Sequence, residues 1–194
     1  MDTTPTMFSA MKLPRRALTA LTISAAAIAL FASPVAAAAP VLTFPVEGKV
    51  SFVDSFGAPR SGGRTHAGTD VMAPKMRKLY AAVDGVITYL KHDTTGISGN
   101  MLIIKGDDGW SYTYIHLNND RPGTDDGANL YGQAFGPGIK KGVRVTAGQV
   151  VGYVGDSGNA ENTGSHLHFE MHDPVGKLVN PYGALKTADN LRVK

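Results

Sequence analysis

The sequence predicts an all-β domain, with an antiparallel sheet that buries one face and leaves the other open as the floor of a groove. Three observations carry this. Gly (23 residues) and Pro (11) are abundant in a chain of 194, which favours short strands and tight turns over long helices. After residue 40 no segment keeps a helical hydrophobic period over three turns, whereas period-2 alternation recurs. A hydrophobic content of 43% is enough for one globular core.

Residues 1–39 stand outside that domain. Lys12, Arg15 and Arg16 precede the uncharged run Ala17 to Phe31. The small residues of SPVAAAAP follow, suited to cleavage after Ala37 or Ala39. Basic, apolar and small-residue regions in this order read as a secretory signal peptide. The apolar run is short of the roughly 20 residues a membrane span takes, so an uncleaved anchor is the second reading. The expectation is a secreted, periplasmic or wall-associated protein with no stable membrane span after cleavage. Its mature domain is 40–194.

Losing the leader removes Lys12, Arg15, Arg16 and Asp2, leaving 16 basic and 15 acidic residues and a net charge of +1. Without a basic stripe, nucleic acid is not an expected partner. The chain has no cysteine, so any metal site must be built from His, Asp and Glu. A monomer is expected.

Within the domain, AAVDGVITYL places apolar β-formers around an Asp84-Gly85 turn. NMLIIKGDDGWSYTYIHL reads as a hairpin with Gly106 to Gly109 at its tip. GVRVTAGQVVGYVGDSG gives two short strands around Ala147-Gly148, and SHLHFEM gives a last one. Alternation puts Trp110, Tyr112, Tyr114 and His116 on one side of their strand, with Ile115 and Leu117 opposite. It likewise puts His166, His168 and Glu170 together, opposite Leu167, Phe169 and Met171. The imidazole-bearing faces would floor the groove. Residues 118–141 lack a strand or helix signal. A structureless loop of that length is uncommon; its start just after His116 suggests a groove wall or lid, with a mobile surface insertion as the equal alternative.

The chemistry concentrates in two segments. In RTHAGTD, His66 and Asp70 stand four apart around Gly68, where a turn feeding a short strand can bring both side chains to one point. One imidazole from His166-Leu167-His168 completes a set of two His and one carboxylate. That set suits a catalytic Zn²⁺ with an open fourth position. His166 and His168 lie about 7 Å apart on one side of the strand, so one can ligate while the other faces the bound water. His172, about 13 Å beyond His168, falls outside this site. His92 and His172 are expected to be structural, Glu170 to support a ligand, and Tyr114 has a modest claim as a donor.

The segment His66-x-Gly68-x-Asp70, a histidine ending a hairpin strand (His116), and His166-x-His168 followed by Phe169-Glu170 resemble the lysostaphin/LytM-type zinc endopeptidases. The resemblance runs from about Phe44 to Leu185 and includes NPYGAL. It implies an antiparallel β-sandwich with a narrow groove and hydrolysis of peptide bonds in bacterial peptidoglycan. It implies zinc held by His66, Asp70 and His168, with His116 and His166 as the remaining active-site histidines. The long loop after His116 departs from the shortest members. A non-catalytic peptidoglycan-binding or hydrolase-activating domain of the same fold is the alternative. A biotinyl/lipoyl-like carrier module fits less well, because no lysine sits at an exposed hairpin tip.

Overall fold

The computed structural model describes residues 1–2 and 40–192. The expected signal peptide therefore lies outside the described residues. The chain divides into two compact units, Met1–Val35 and Ala36–Lys194, and all the described strands belong to the second. No helix among the described residues is long and apolar enough to cross a membrane.

The domain is built on antiparallel strands. They are β1 (Thr69–Met72), β2 (Lys78–Tyr80), β3 (Gly85–Lys91), β4 (Asn100–Gly106), β5 (Ser111–Leu117), β6 (Arg144–Val145), β7 (Val150–Tyr153), β8 (His166–His172) and β9 (Leu178–Val179). The main sheet runs β1-β8-β5-β4-β3-β6, with β9 also on β8; β2 and β7 form a second, two-stranded sheet. The all-β class holds. The expected hairpin from β4 to β5 forms, with register Ile104↔Tyr112 and Leu102↔Tyr114.

Strands on either side of the two other turns do not pair with each other. β2 and β3 flank the Asp84-Gly85 turn but enter different sheets, as do β6 and β7 around Ala147-Gly148: β2 pairs β7, and β3 pairs β6. The core lies between the sheets. Leu79 and Val151 from the small sheet meet Ile87, Leu102, Ile104, Tyr112, Tyr114, Leu167 and Phe169 from the large one, all buried. Burying each such side chain contributes roughly 1.5–3 kcal/mol.

The chain also carries a C-terminal helix that periodicity does not signal, α2 (Tyr182–Arg192). Its start follows ordinary rules: Asn180 Oδ1 accepts the Tyr182 amide at 2.9 Å, and Pro181 precedes the first turn. Leu185 and Ala188 of the helix join the buried core.

Residues 118–141 correct an expectation. They contain a short helix, α1 (Tyr131–Ala134), and they pack. Ala134, Phe135 and Ile139 belong to the core, and Phe135 bridges to Gly152 of β7. Asp120 is buried and paired with Lys75 at 2.7 Å. Lys75 also meets Asp125 and Asp156.

Candidate metal centre and groove

β8 floors the site because it is hydrogen-bonded on both edges, to β1 and to β5. Its alternation follows the sequence reading. Leu167, Phe169 and Met171 are buried, while His166, His168 and Glu170 point the other way and line a groove of about 560 Å³. The register Asp70↔His168 sets the carboxylate directly across from that imidazole. His66 sits in the turn that feeds β1. Gly68 lets β1 close on β8: a Cβ there would stand 2.3 Å from the Phe169 carbonyl oxygen, closer than any packing allows.

The result is a convergence of three atoms. His66 Nε2 lies 3.0 Å from Asp70 Oδ1 and 3.0 Å from His168 Nδ1, and His168 Nδ1 lies 2.9 Å from Asp70 Oδ1. The outer ring nitrogens fix what these atoms are. His66 Nδ1 faces the Ser55 carbonyl at 3.0 Å, which only accepts, so this nitrogen carries the proton and Nε2 offers a lone pair. His168 Nε2 likewise donates to Glu170 Oε1 at 3.1 Å, turning the Nδ1 lone pair inward. Two nitrogen lone pairs and a carboxylate oxygen aimed at one another can hold a cation between them. His, His and carboxylate with oriented outer N–H groups is the donor set of a divalent metal such as zinc.

The charges agree. Burial lowers the His66 pKa, offset in part by Asp70. Burial would raise Asp70, but the His168 hydrogen bond and the His166, His168 and His66 imidazoles outweigh it and hold the carboxyl well below its usual range. Burial would lower His168, but Asp70 and Glu170 outweigh it and raise it. Asp70 Oδ2 accepts from Arg60 Nη2 at 2.6 Å, leaving Oδ1 for the centre.

His116 reaches the groove by a route that alternation does not describe. Strand counting places it with Tyr112 and Tyr114, but those two are core residues at 0% exposure. Tyr114 Oη donates to the Tyr80 carbonyl and accepts from the Ala82 amide, so it is structural. A bulge makes the difference. Asn100 pairs Leu117 and Met101 pairs Ile115, leaving His116 as the extra residue at φ +65°. That left-handed turn swings its side chain to the face of Ile115 and His168. Its Nδ1 donates to the Ser157 carbonyl at 2.8 Å, and its ring centroid is 5.0 Å from that of His166. Burial, then the His166 imidazole, lowers the His116 pKa to about 4. His166 Nδ1 donates to the Gly164 carbonyl at 2.8 Å, and its Nε2 lies 3.8 Å from Asp70 Oδ1.

All five expected site residues thus meet in one place. Glu170 accepts from His168 on one oxygen and faces His172 Nε2 at 3.3 Å with the other; His172 stands behind it. His92 lies elsewhere, bonded to the Asn129 carbonyl and stacked edge-on against Tyr131 and Phe135. The groove walls correct the loop expectation. One wall is Pro59 to Ala67; the other is Ile97 with Asn159, Ala160, Thr163 and Gly164. No groove-lining residue falls within 118–141. That segment props the second wall from behind, through Asn119 Nδ2 to Glu161 Oε2 at 3.1 Å. Ser55, Arg60, Ser157 and Gly164 were not legible in advance, since three of them act through backbone carbonyls that any residue carries.

Known proteins share this architecture. Over 108 residues the chain is 31% identical to peptidoglycan DD-endopeptidase ShyC of Vibrio cholerae, covering 56% of this chain and 20% of that longer protein. A LytM protein from Ruminococcus gnavus superposes with a TM-score of 0.59 at 29% identity, covering 77% of this chain and 61% of the other. The catalytic domain of lysostaphin from Staphylococcus simulans shares the fold, with a TM-score of 0.53 at 24% identity over 71% of this chain and 92% of that one. The model of peptidase family M23 matches residues 64–181, a span that holds His66, Asp70, His116, His166 and His168, and the chain belongs to that family.

Proposed function

We propose that the protein is an exported, zinc-dependent endopeptidase that hydrolyses peptide bonds in bacterial peptidoglycan. In this reading His66, Asp70 and His168 hold the ion, and His116 and His166 handle protons. The observation that supports it is the inward convergence of three lone-pair atoms beside two further imidazoles on the floor of one groove. The peptidoglycan substrate is carried over from relatives such as ShyC.

A zinc ion bound there would polarise the scissile carbonyl and bring the pKa of a bound water to about 7. The protein's own residues do the rest. Ser157 holds Nδ1–H of His116, leaving Nε2 as the acceptor. Burial keeps that ring neutral at pH 7, so it can take a proton from the attacking water. His166, oriented by the Gly164 carbonyl, lies on the Asp70 side, where it can steady the developing oxyanion or return a proton to the leaving amine.

Digestion of purified peptidoglycan, with mass analysis of the fragments and metal analysis of the protein, tests this. New amine and carboxyl termini are expected from the zinc-loaded protein and not from Asp70→Ala. Stoichiometric zinc with no released termini would reject the endopeptidase.

A further inference from the structure

The first groove wall carries a feature that metal binding and proton transfer leave unused. Four charged residues line the groove: Arg60, Arg64, Asp70 and Glu170. Three are paired, Arg60 with Asp70 and Glu170 with His168 and His172. Arg64 has no carboxylate partner among the described residues. Its side-chain contacts there are Nε to the Ser61 carbonyl at 3.1 Å and Nη2 to Ser61 Oγ at 3.3 Å. Both are neutral oxygens, and they occupy two of its five N–H donors. The other groove-lining residues outside the strands, Ile97, Asn159, Ala160, Thr163 and Gly164, carry no charge.

The guanidinium is also presented on a braced element. Pro59 and Thr65 form a bridge, and the Arg60 amide donates to the Arg64 carbonyl at 2.9 Å. A tight turn at Ser61–Gly63 closes the hairpin. Arg60 pins that hairpin to Asp70, and the His66 amide bonds back to Ala58. Arg64 therefore lines the same groove as the centre with three donors to spare, in a fork that matches a carboxylate.

We propose that Arg64 reads a free carboxylate on the peptide that occupies the groove, making it a specificity-determining residue. With charge on one wall only, that contact also sets which way round the peptide lies. The identity of the ligand as a peptide rests on the endopeptidase reading. The carboxylate itself can come from a chain terminus or from an acidic side chain.

The test uses synthetic cross-linked stem peptides in four forms: both carboxylates free, the C-terminal one amidated, the side-chain one amidated, and both amidated. kcat/KM and direct binding are measured with the zinc-loaded wild type, Arg64→Gln and Arg64→Lys. One amidation should cost the wild type about 10- to 100-fold, the range of a charge-assisted contact, and which one identifies the source. The free-to-amidated ratio should fall to about one in Arg64→Gln and be partly kept in Arg64→Lys. An equal loss on all four peptides in Arg64→Gln, or no loss on any, overturns the proposal. If no peptide is cleaved, binding decides. Arg64-dependent binding of the free acid upholds the carboxylate site while rejecting the endopeptidase, and Arg64-independent binding, or none, overturns the site as well.

Discussion

His66, Asp70 and His168 each spend their outer polar atoms on a named partner, Ser55, Arg60 and Glu170, and turn one atom inward. The neighbouring pair, His116 and His166, are also oriented through Nδ1 by backbone carbonyls, but they stand outside the set of three converging atoms. This difference predicts separable losses. Asp70→Ala should lose most bound zinc and all hydrolysis. His116→Ala and His166→Ala should keep zinc near one equivalent while activity falls by about 10²–10⁴-fold, as for a missing general acid or base. Metal analysis beside single-substrate kinetics checks both. Zinc loss in His166→Ala with retention in His168→Ala would exchange the roles of the two.

Strand β1 reaches β8 only because residue 68 has no side chain. Gly68→Ala would drive a Cβ into the Phe169 carbonyl, where backbone must yield. A loss of about 1–3 kcal/mol is expected from such overpacking, with weaker zinc binding because the Asp70↔His168 pairing shifts; urea unfolding and zinc competition measure the two. The segment after β5 behaves differently along its length. Arg121 to Gly127 is exposed and supplies nothing to the groove lining. Replacing 121–127 with a short turn should leave zinc binding and cleavage of a short peptide nearly unchanged. Phe135→Ala, in the same segment but 1% exposed, should cost about 3–5 kcal/mol. Thermal melts of the two variants distinguish a dispensable tip from a core-forming base.

For the whole molecule, acid should be the sensitive direction. Burial lowers His116 from 6.5 to about 4 and also lowers His66. Between those values the unfolded chain binds protons that these folded sites refuse. The His116 contribution is complete above about pH 6.5 and fades as pH falls towards 4, and His66 acts in the same direction. His116 alone supplies up to about 3 kcal/mol of this slope. His168 is raised and works in the opposite sense in metal-free protein, so the variant comparison isolates the effect. The urea midpoint of the zinc-free protein should fall from pH 7 to pH 4.5, and less steeply in His116→Gln.

Much of this molecule was legible from its period. β8 shows its two faces in the letters because it is regular and half-buried, and His66 and Asp70 stand out because Gly68 sits between them. What stayed hidden depends on events outside any local window. The face of His116 depends on one extra residue in β5. The partners of β2 and β7 are distant in sequence. Phe135 and Ile139 join a core built by strands distant in sequence, and of α2 the letters offer little beyond the Asn180-Pro181 start.

The placement of β8 between two partners has a dynamic consequence. The amides of Leu167 to Glu170 lie on a strand bonded to β1 on one edge and β5 on the other, and the side chains beneath them are sealed in the core. Such amides exchange with deuterium only when the whole domain opens. The exposed tip at Ser61–Gly63, beyond the contacts that brace its hairpin, has no sheet partner and should exchange by small local openings. Solvent labelling should therefore find a rigid floor under a breathing rim: amides 167–170 among the slowest in the domain, and 61–63 among the fastest. A floor that exchanged as quickly as the rim would mean that the five-residue site is assembled only when a peptide arrives.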